Sequence, residues 1–286
     1  MGVTISTHPT SVVLVDRAEV RRELRLDDAA EPILSEVVQH VSSLIEDHCC
    51  RSFARAQIVE TLPGYGGPLL MLSRTPVVLV SSVLHEGSAI LDYVVENPDT
   101  GMLYRQLGWA WTRELGWYLG PNLVGRSEHP KFSVTYIAGY LVPDDDVASA
   151  ALSVSSVDNS FNLSAGSFPL LVAGDRITAS GFTDSANNGT HTVVSRTDTK
   201  VVVGSALVTE AENADVKLLR VRTLPGSIQR AAIDEAKAKY IARHRDPGVA
   251  SRSITGLSVT YAGAQAETNA LTPLTVATLS RWRRLA

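Results

Sequence analysis

The sequence predicts an α+β fold: a helical core with a small antiparallel sheet, an all-β domain inserted between its two parts, and a C-terminal helix. Three observations predict it. Apolar residues recur every three or four positions through residues 32–50, and short β-rich runs divided by Gly and Pro follow as far as Tyr140. From about 147 to 221 the composition shifts to small and β-branched residues with repeated turn signals. At 286 residues the chain has room for one large domain or two small ones, and the pattern changes divide it into 1–146, 147–221, 222–264 and 265–286.

The first helix begins at Asp16, an N-cap with Glu19 as its capping-box partner and Val15 stapled to Val20, and it ends near Leu26. A second starts after Asp27 and Asp28, with Pro32 tolerated in its first turn. Its stripe is Ile33, Leu34, Val37, Val38, Val41, Leu44, Ile45 and Cys49, so Cys49 is expected in the core and His40, Glu46, Asp47 and His48 at the solvated rim. Candidate strands then lie at 69–72, 77–84, 90–95 and 131–137. Between them Trp109, Trp111, Trp117 and Tyr118 crowd a Gly-flanked loop. Such aromatic density fits a partner-binding surface or a local mini-core, and the sequence leaves both open.

Within 147–221, strands are expected at 151–157, 175–181, 190–196, 200–205 and 216–222, with Asn188-Gly189 as a hairpin signal between two of them. Helix returns with Ser227 as N-cap and Ile228, Ala232, Ala236 and Tyr240 at four-residue spacing, closing before Pro247-Gly248. The small alanines imply close approach to the helix of 32–50. A strand at 256–261 and a polar linker come next. Thr272-Pro273 then opens a terminal helix carrying Leu274, Leu279, Trp282 and Leu285, with Arg281, Arg283 and Arg284 suiting the macrodipole at its end.

Composition excludes several function classes. Lys plus Arg number 26 against 30 Asp plus Glu, a formal net charge of -4, which does not suit a protein whose main task is gripping phosphate backbone. No apolar run approaches the ~20 residues that span a bilayer, so no membrane role is expected. Cys49 and Cys50 are adjacent, a spacing that disfavours an intrachain disulfide, and the N-terminus lacks a secretory pattern; synthesis in a reducing cytoplasm is expected. The phosphate-loop, nucleophile-elbow, zincin and C-x-x-C templates are missing, and no His or Cys stands at metal-ligand spacing. No catalytic residue, cofactor or metal is therefore expected. Asp144, Asp145 and Asp146 lack the ligand spacing of a calcium loop and are expected to form a solvated linker.

Val13-Leu14-Val15-Asp16 leading into Val20-Arg21-Arg22-Glu23-Leu24, followed by a long helix ending Leu44-Ile45-Glu46 and Cys50-Arg51-Ser52-Phe53, resembles the opening of bacteriophage head-to-tail connector proteins, or adaptors. Val134-Thr135-Tyr136-Ile137-Ala138-Gly139-Tyr140 and Leu224-Pro225 followed by Ile228, Ala231, Ala232 and Tyr240 extend the resemblance. In that family the Tyr-x-x-Gly-Tyr strand end and the Leu-Pro helix start stand a few residues apart. Here they are far separated in sequence, which makes 141–223 an insertion, similar to small β modules of phage structural proteins.

The resemblance implies a homo-oligomeric ring, typically twelvefold, that docks under the portal, receives a stopper or tail component and continues the channel for double-stranded DNA. It implies a virion protein of the head-tail junction with no reaction to catalyse. The terminal helix is then expected to fold on binding, with Leu279, Trp282 and Leu285 between portal subunits and Arg281, Arg283 and Arg284 on portal acids. The alternatives are a carbohydrate- or surface-binding virion protein that stacks sugar on Trp109, Trp111 and Trp117, and an enzyme with an unrecognised site.

Overall fold

The structure is a computed structural model that describes residues 2–7, 12–27, 31–110, 132–212, 215–243, 251–254, 257–260 and 270–283. The fold is α+β. Among the described residues it has four α-helices and four sheets, and the strand pairings within the sheets are all antiparallel.

Helices α1 (Arg17–Leu24), α2 (Glu31–Cys49), α3 (Gly226–Arg243) and α4 (Pro273–Leu279) share one apolar core. The α2 stripe enters it through Leu34, Val38, Val41, Ile45 and Cys49, and α3 meets it with Ile228, Ala232 and Ala236, small enough for the two helices to approach closely. Burial pushes the Cys49 thiol up to about 11, as a small core residue requires, and both cysteines are free. Asp16 caps α1 by accepting from the Ala18 N–H (2.9 Å), and Arg25 closes it in the left-handed region (φ 54°). The expected capping box is replaced: the Glu19 carboxylate pairs with Arg222.

A five-stranded sheet runs β1 (Gly2–Thr7), β2 (Ala56–Leu62), β8 (Phe132–Ala138), β4 (Val77–His85), β5 (Ser88–Ala89). A smaller one runs β3 (Leu69–Met71), β7 (Met102–Tyr104), β6 (Val94–Asn97). They enclose a second core of Ile58, Leu70, Leu103, Trp109, Phe132 and Tyr136 among others. Of the strand expected at 90–95, only Val94 and Val95 lie in a strand, the start of β6 in the smaller sheet. A two-residue turn with positive φ at Glu86 (50°) and Gly87 (80°) closes β4 onto β5, and the chain leaves for the smaller sheet before Val94.

A third core belongs to a seven-stranded sheet: β10 (Leu152–Ser155), β11 (Ser160–Leu163), β14 (Lys200–Val203), β13 (Gly189–Arg196), β12 (Arg176–Ser180), β15 (Lys217–Arg220), β9 (Val147–Ser149). Asn188-Gly189 is not its tight turn. The β12–β13 connection spans residues 181–188, and the Asn188 side chain braces it by accepting from the Phe182 N–H (3.1 Å) and donating to the Phe182 carbonyl (2.9 Å). Lys217, buried, is held by the carbonyls of Leu152 and Ala211 (both 3.0 Å) and by Glu210 (3.2 Å). Finally β16 (Ser251–Ile254) and β17 (Leu257–Thr260) form a hairpin.

The seven-stranded unit leaves and rejoins the helical core at one place. Leu141 donates its N–H to the Thr223 hydroxyl (2.8 Å), and its carbonyl accepts from the N–H groups of Thr223 (3.0 Å) and Leu224 (3.3 Å). Here successive side chains serve different cores: Leu141 and Val221 face the β core, Val142 and Leu224 the helical one. Arg222 lies between the ends, reaching Asp146 through Nε (2.8 Å), Asp16 (2.7 Å) and Glu19 (3.4 Å). Asp146 also accepts from the Val221 N–H (3.0 Å). Burial alone would raise the Asp16 carboxyl, but Arg222 and the Ala18 N–H bring it below the usual range. Arg55, almost fully buried, forms a second tie, bidentate to Asp175 and donating to the Leu170 carbonyl (3.0 Å).

The expected solvated linker is corrected by this geometry. Only Asp144 of the three aspartates is exposed. Asp145 accepts from the Val142 N–H (2.7 Å), and burial pushes its carboxyl up to about 6 against the opposing pull of that bond and of Arg55. A folded-state value above the ordinary 3.8 means the native state holds the extra proton between pH 4 and 6, so this group's contribution to stability falls as pH rises through that window. Asp145→Asn, whose amide oxygen can still accept from Val142, is expected to raise stability by about 1–2 kcal/mol at pH 7.5 and to change little at pH 4.5. Urea unfolding at the two pH values checks this; an equal effect at both would contradict it.

Candidate partner-binding site

Among the described residues, no group of His, Cys, Asp and Glu is arranged to hold a metal, and no helix is long and apolar enough to cross a membrane. The candidate sites are surfaces. The foremost is the C-terminal segment, whose placement depends on a residue the sequence reasoning missed. Glu235 faces inward from α3, fully buried, and its Oε2 accepts from both the N–H (3.0 Å) and the hydroxyl (2.8 Å) of Thr272. Thr272 and Pro273 stand at N-cap and N1 as the sequence suggests, but Glu235 supplies the carboxylate that satisfies this helix start. Lys239 Nζ, one turn along α3, lies 3.6 Å from Glu235 and donates to the Ala270 carbonyl.

This anchorage changes the meaning of the apolar residues beyond it. Leu279 is fully buried in the helical core, and Trp282 is half-buried against the same cluster with Arg281 over its ring at 5.2 Å. Both side chains were expected to be free for a portal; in this structure they are committed to the chain's own core, and the terminal helix is folded and packed. An amphipathic helix looks the same in sequence whether its stripe meets its own core or a partner. Arg281 and Arg283 are exposed, while Arg284 and Leu285 lie outside the described residues.

The aromatic loop divides similarly. Trp109 is buried: its Nε1 donates to the Pro68 carbonyl (3.0 Å), and its ring meets Phe132 edge-on at 5.2 Å. It is a mini-core residue with no face open to a sugar. Trp111, Trp117 and Tyr118 lie outside the described residues. In the seven-stranded unit, Phe161, Phe168 and Phe182 are all interior, so its outward strand faces offer Thr and Ser, with Arg176 and Arg220, and no aromatic platform.

Glu235→Ala is expected to free the C-terminal segment while the two β cores stay intact, because it removes the carboxylate that holds Thr272. Limited proteolysis should then cut near residue 270 at least ten times faster than in the parent chain, with the circular dichroism otherwise preserved. An unchanged cleavage rate would contradict the anchoring role.

No protein-family model matches the chain, and no curated protein sequence matches it. Among solved structures it is similar to a chain from the neck of an empty GTA particle computed with C6 symmetry and one from the virion of a native gene transfer agent (GTA) particle. Each is 13% identical with a TM-score of 0.33, over 100% of this chain and 97% of that one. A chain from the neck of a native GTA particle computed with C12 symmetry is 14% identical over the same shares, with a TM-score of 0.30.

Proposed function

We propose that this chain is a structural head-to-tail adaptor of a tailed phage or phage-like particle, with no reaction of its own. Its copies form a ring, twelvefold in the family it resembles, that joins the portal to a stopper or tail component and continues the DNA channel at the head-tail junction. The observation that carries this reading is where the family-like stretches meet. Leu14 to Ala54, Leu224 to Tyr240 and Leu279 build one helical core, although the seven-stranded unit, with a core of its own, interrupts them in sequence. An insertion into an adaptor framework produces that arrangement.

The portal contact falls to the basic end of the C-terminal segment: Arg283 is exposed, and Arg284 and Leu285 follow it. Leu279 and Trp282 act as the fastening that holds this end to the body. A net charge of -4 per copy, repeated around a ring, would keep passing DNA from adhering to the channel.

Imaging mixtures of the purified chain and portal rings by electron microscopy tests the reading, with an added ring of density under the portal as the expected result. Arg283→Glu combined with Arg284→Glu should reduce attachment at least tenfold at moderate salt and leave unfolding unchanged. Truncation after Ala270 is the poorer test, because it strips Leu279 from the core. Portals that stay bare in the presence of the folded chain would overturn the proposal.

A further inference from the structure

Inside the seven-stranded unit a lysine and a primary amide meet at one carboxylate. Lys217 on β15 and Asn187 in the β12–β13 connection are both fully buried, and Glu210 between them is nearly so. Glu210 Oε1 lies 3.2 Å from the Lys217 Nζ, and its Oε2 accepts from the Asn187 Nδ2 (3.2 Å). The carboxylate is fixed from both sides. Its oxygens accept from the N–H groups of Thr183 (3.1 Å) and Asp184 (3.3 Å), and the Glu210 backbone exchanges hydrogen bonds with Val154 (2.8 and 3.1 Å). The carbonyls of Leu152 and Ala211 hold Nζ in place.

Asn187 is set for attack at its carbonyl carbon. Its Oδ1 accepts from the Val208 N–H (2.9 Å), a donor aimed at the oxygen on which a nucleophile would place charge. Nδ2 donates to the Val208 carbonyl (2.9 Å) as well as to Glu210, and His191 Nε2 donates to the Asn187 main-chain carbonyl (3.2 Å). The Phe182 ring covers Nζ, 5.2 Å from its centroid, and Phe161 lies tilted on Phe182 at 5.4 Å, which keeps water out. An ion pair needs only the lysine and the carboxylate. The buried amide, with a donor on its oxygen and the same carboxylate on its nitrogen, supplies the remaining parts of an acyl transfer.

We propose that Lys217 Nζ and Asn187 Cγ join in an intramolecular amide bond, with release of ammonia and with Glu210 as the proton carrier. Glu210 takes a proton from the ammonium, and the free amine attacks Cγ, forming the Nζ–Cγ bond while the Val208 N–H meets the charge on Oδ1. Glu210 passes its proton to Nδ2, the Cγ–Nδ2 bond breaks, and the second proton shed by Nζ leaves with the ammonia as ammonium. No oxidant or cofactor enters, and Glu210 ends as it began. Burial pushes the Glu210 carboxyl up, but the Thr183 and Asp184 N–H groups, Asn187 and Lys217 together bring it down to about 2, so the first transfer is uphill and the bond forms slowly after folding. The product ties β15 to the β12–β13 connection and replaces a buried cation with a neutral amide. The inference concerns the interior of this unit and stands whether or not the chain is an adaptor.

Intact-mass spectrometry of the purified full chain, followed over several days near neutral pH, tests it. The expected species is lighter by about 17 Da, the ammonia lost, and digestion should give a branched peptide joining Lys217 to Asn187. Glu210→Gln, which keeps the size of the side chain, should slow its formation at least about a hundredfold. Lys217→Arg, which keeps the buried cation, should never form it. Circular dichroism should be unchanged in both, and the mass of the parent chain decides even where a variant does not fold. A parent that keeps its full mass overturns the proposal. A loss of about 18 Da, as water, would place the bond between Lys217 and Glu210 and overturn it too. So would a loss of ammonia whose fragments place it at Asn188-Gly189 as a ring-closed imide, and an amide that forms as fast in Glu210→Gln would overturn the part given to Glu210.

Discussion

Arg222 is the interaction on which the arrangement of this molecule depends. One guanidinium, largely withdrawn from water, meets the N-cap of the first helix, the residue that leads into the seven-stranded unit, and Glu19 of the capping turn. Asp16 does two tasks at once: one oxygen caps α1 and the other holds Arg222. A planar cation with several fixed donors can serve three carboxylates in this way, which a lysine ammonium could not do with the same geometry. The start of the chain, the beginning of the insertion and its return are thereby fixed to one another.

Around that point the chain sorts its side chains between cores. Leu141 and Val142 are neighbours in sequence yet serve different clusters, as do Val221 and Leu224, so the crossing is made by two short strands of backbone bonded to each other. Arg55 and Asp175 repeat the device at a second contact, nearly dry. A buried ion pair adds little net stability over an apolar one, but it fixes orientation, since removing either partner strands a charge. Two such ties make the seven-stranded unit an attachment of set direction.

The sequence was most legible where one residue has one local task. The α2 stripe with Cys49, the Asp16 cap and the Thr272-Pro273 start are all written in spacing that physics reads directly. It was least legible where a side chain acts across the fold. Asp145 and Asp146 sit in an acidic run that looks solvated until Val142, Val221 and Arg222 are brought to them. Glu235, among alanines, gives no sign that it will cap a helix 37 residues away. Asn188-Gly189 does mark the β12–β13 hairpin, but through a longer loop that the Asn188 side chain braces, while the two-residue turn uses Glu86, a residue that seldom adopts positive φ. The edge strand β1 is hard to read because its alternation, Val3-Thr4-Ile5-Ser6, holds only two apolar residues, too few to stand out from chance.

The site followed the same division. A basic amphipathic terminal helix was readable, but not whether its Leu279 and Trp282 belonged to a partner or to the body, because only the packed core decides that. Hydrogen exchange on the parent chain and on Arg222→Met tests the central claim most directly. The account predicts that the amides around Val221, Thr223 and Leu141 lose protection, and that the seven-stranded unit and the helical core, opening together in the parent, come to open separately while each keeps its own protected core. Unaltered protection at the junction, with both units still opening as one, would contradict it.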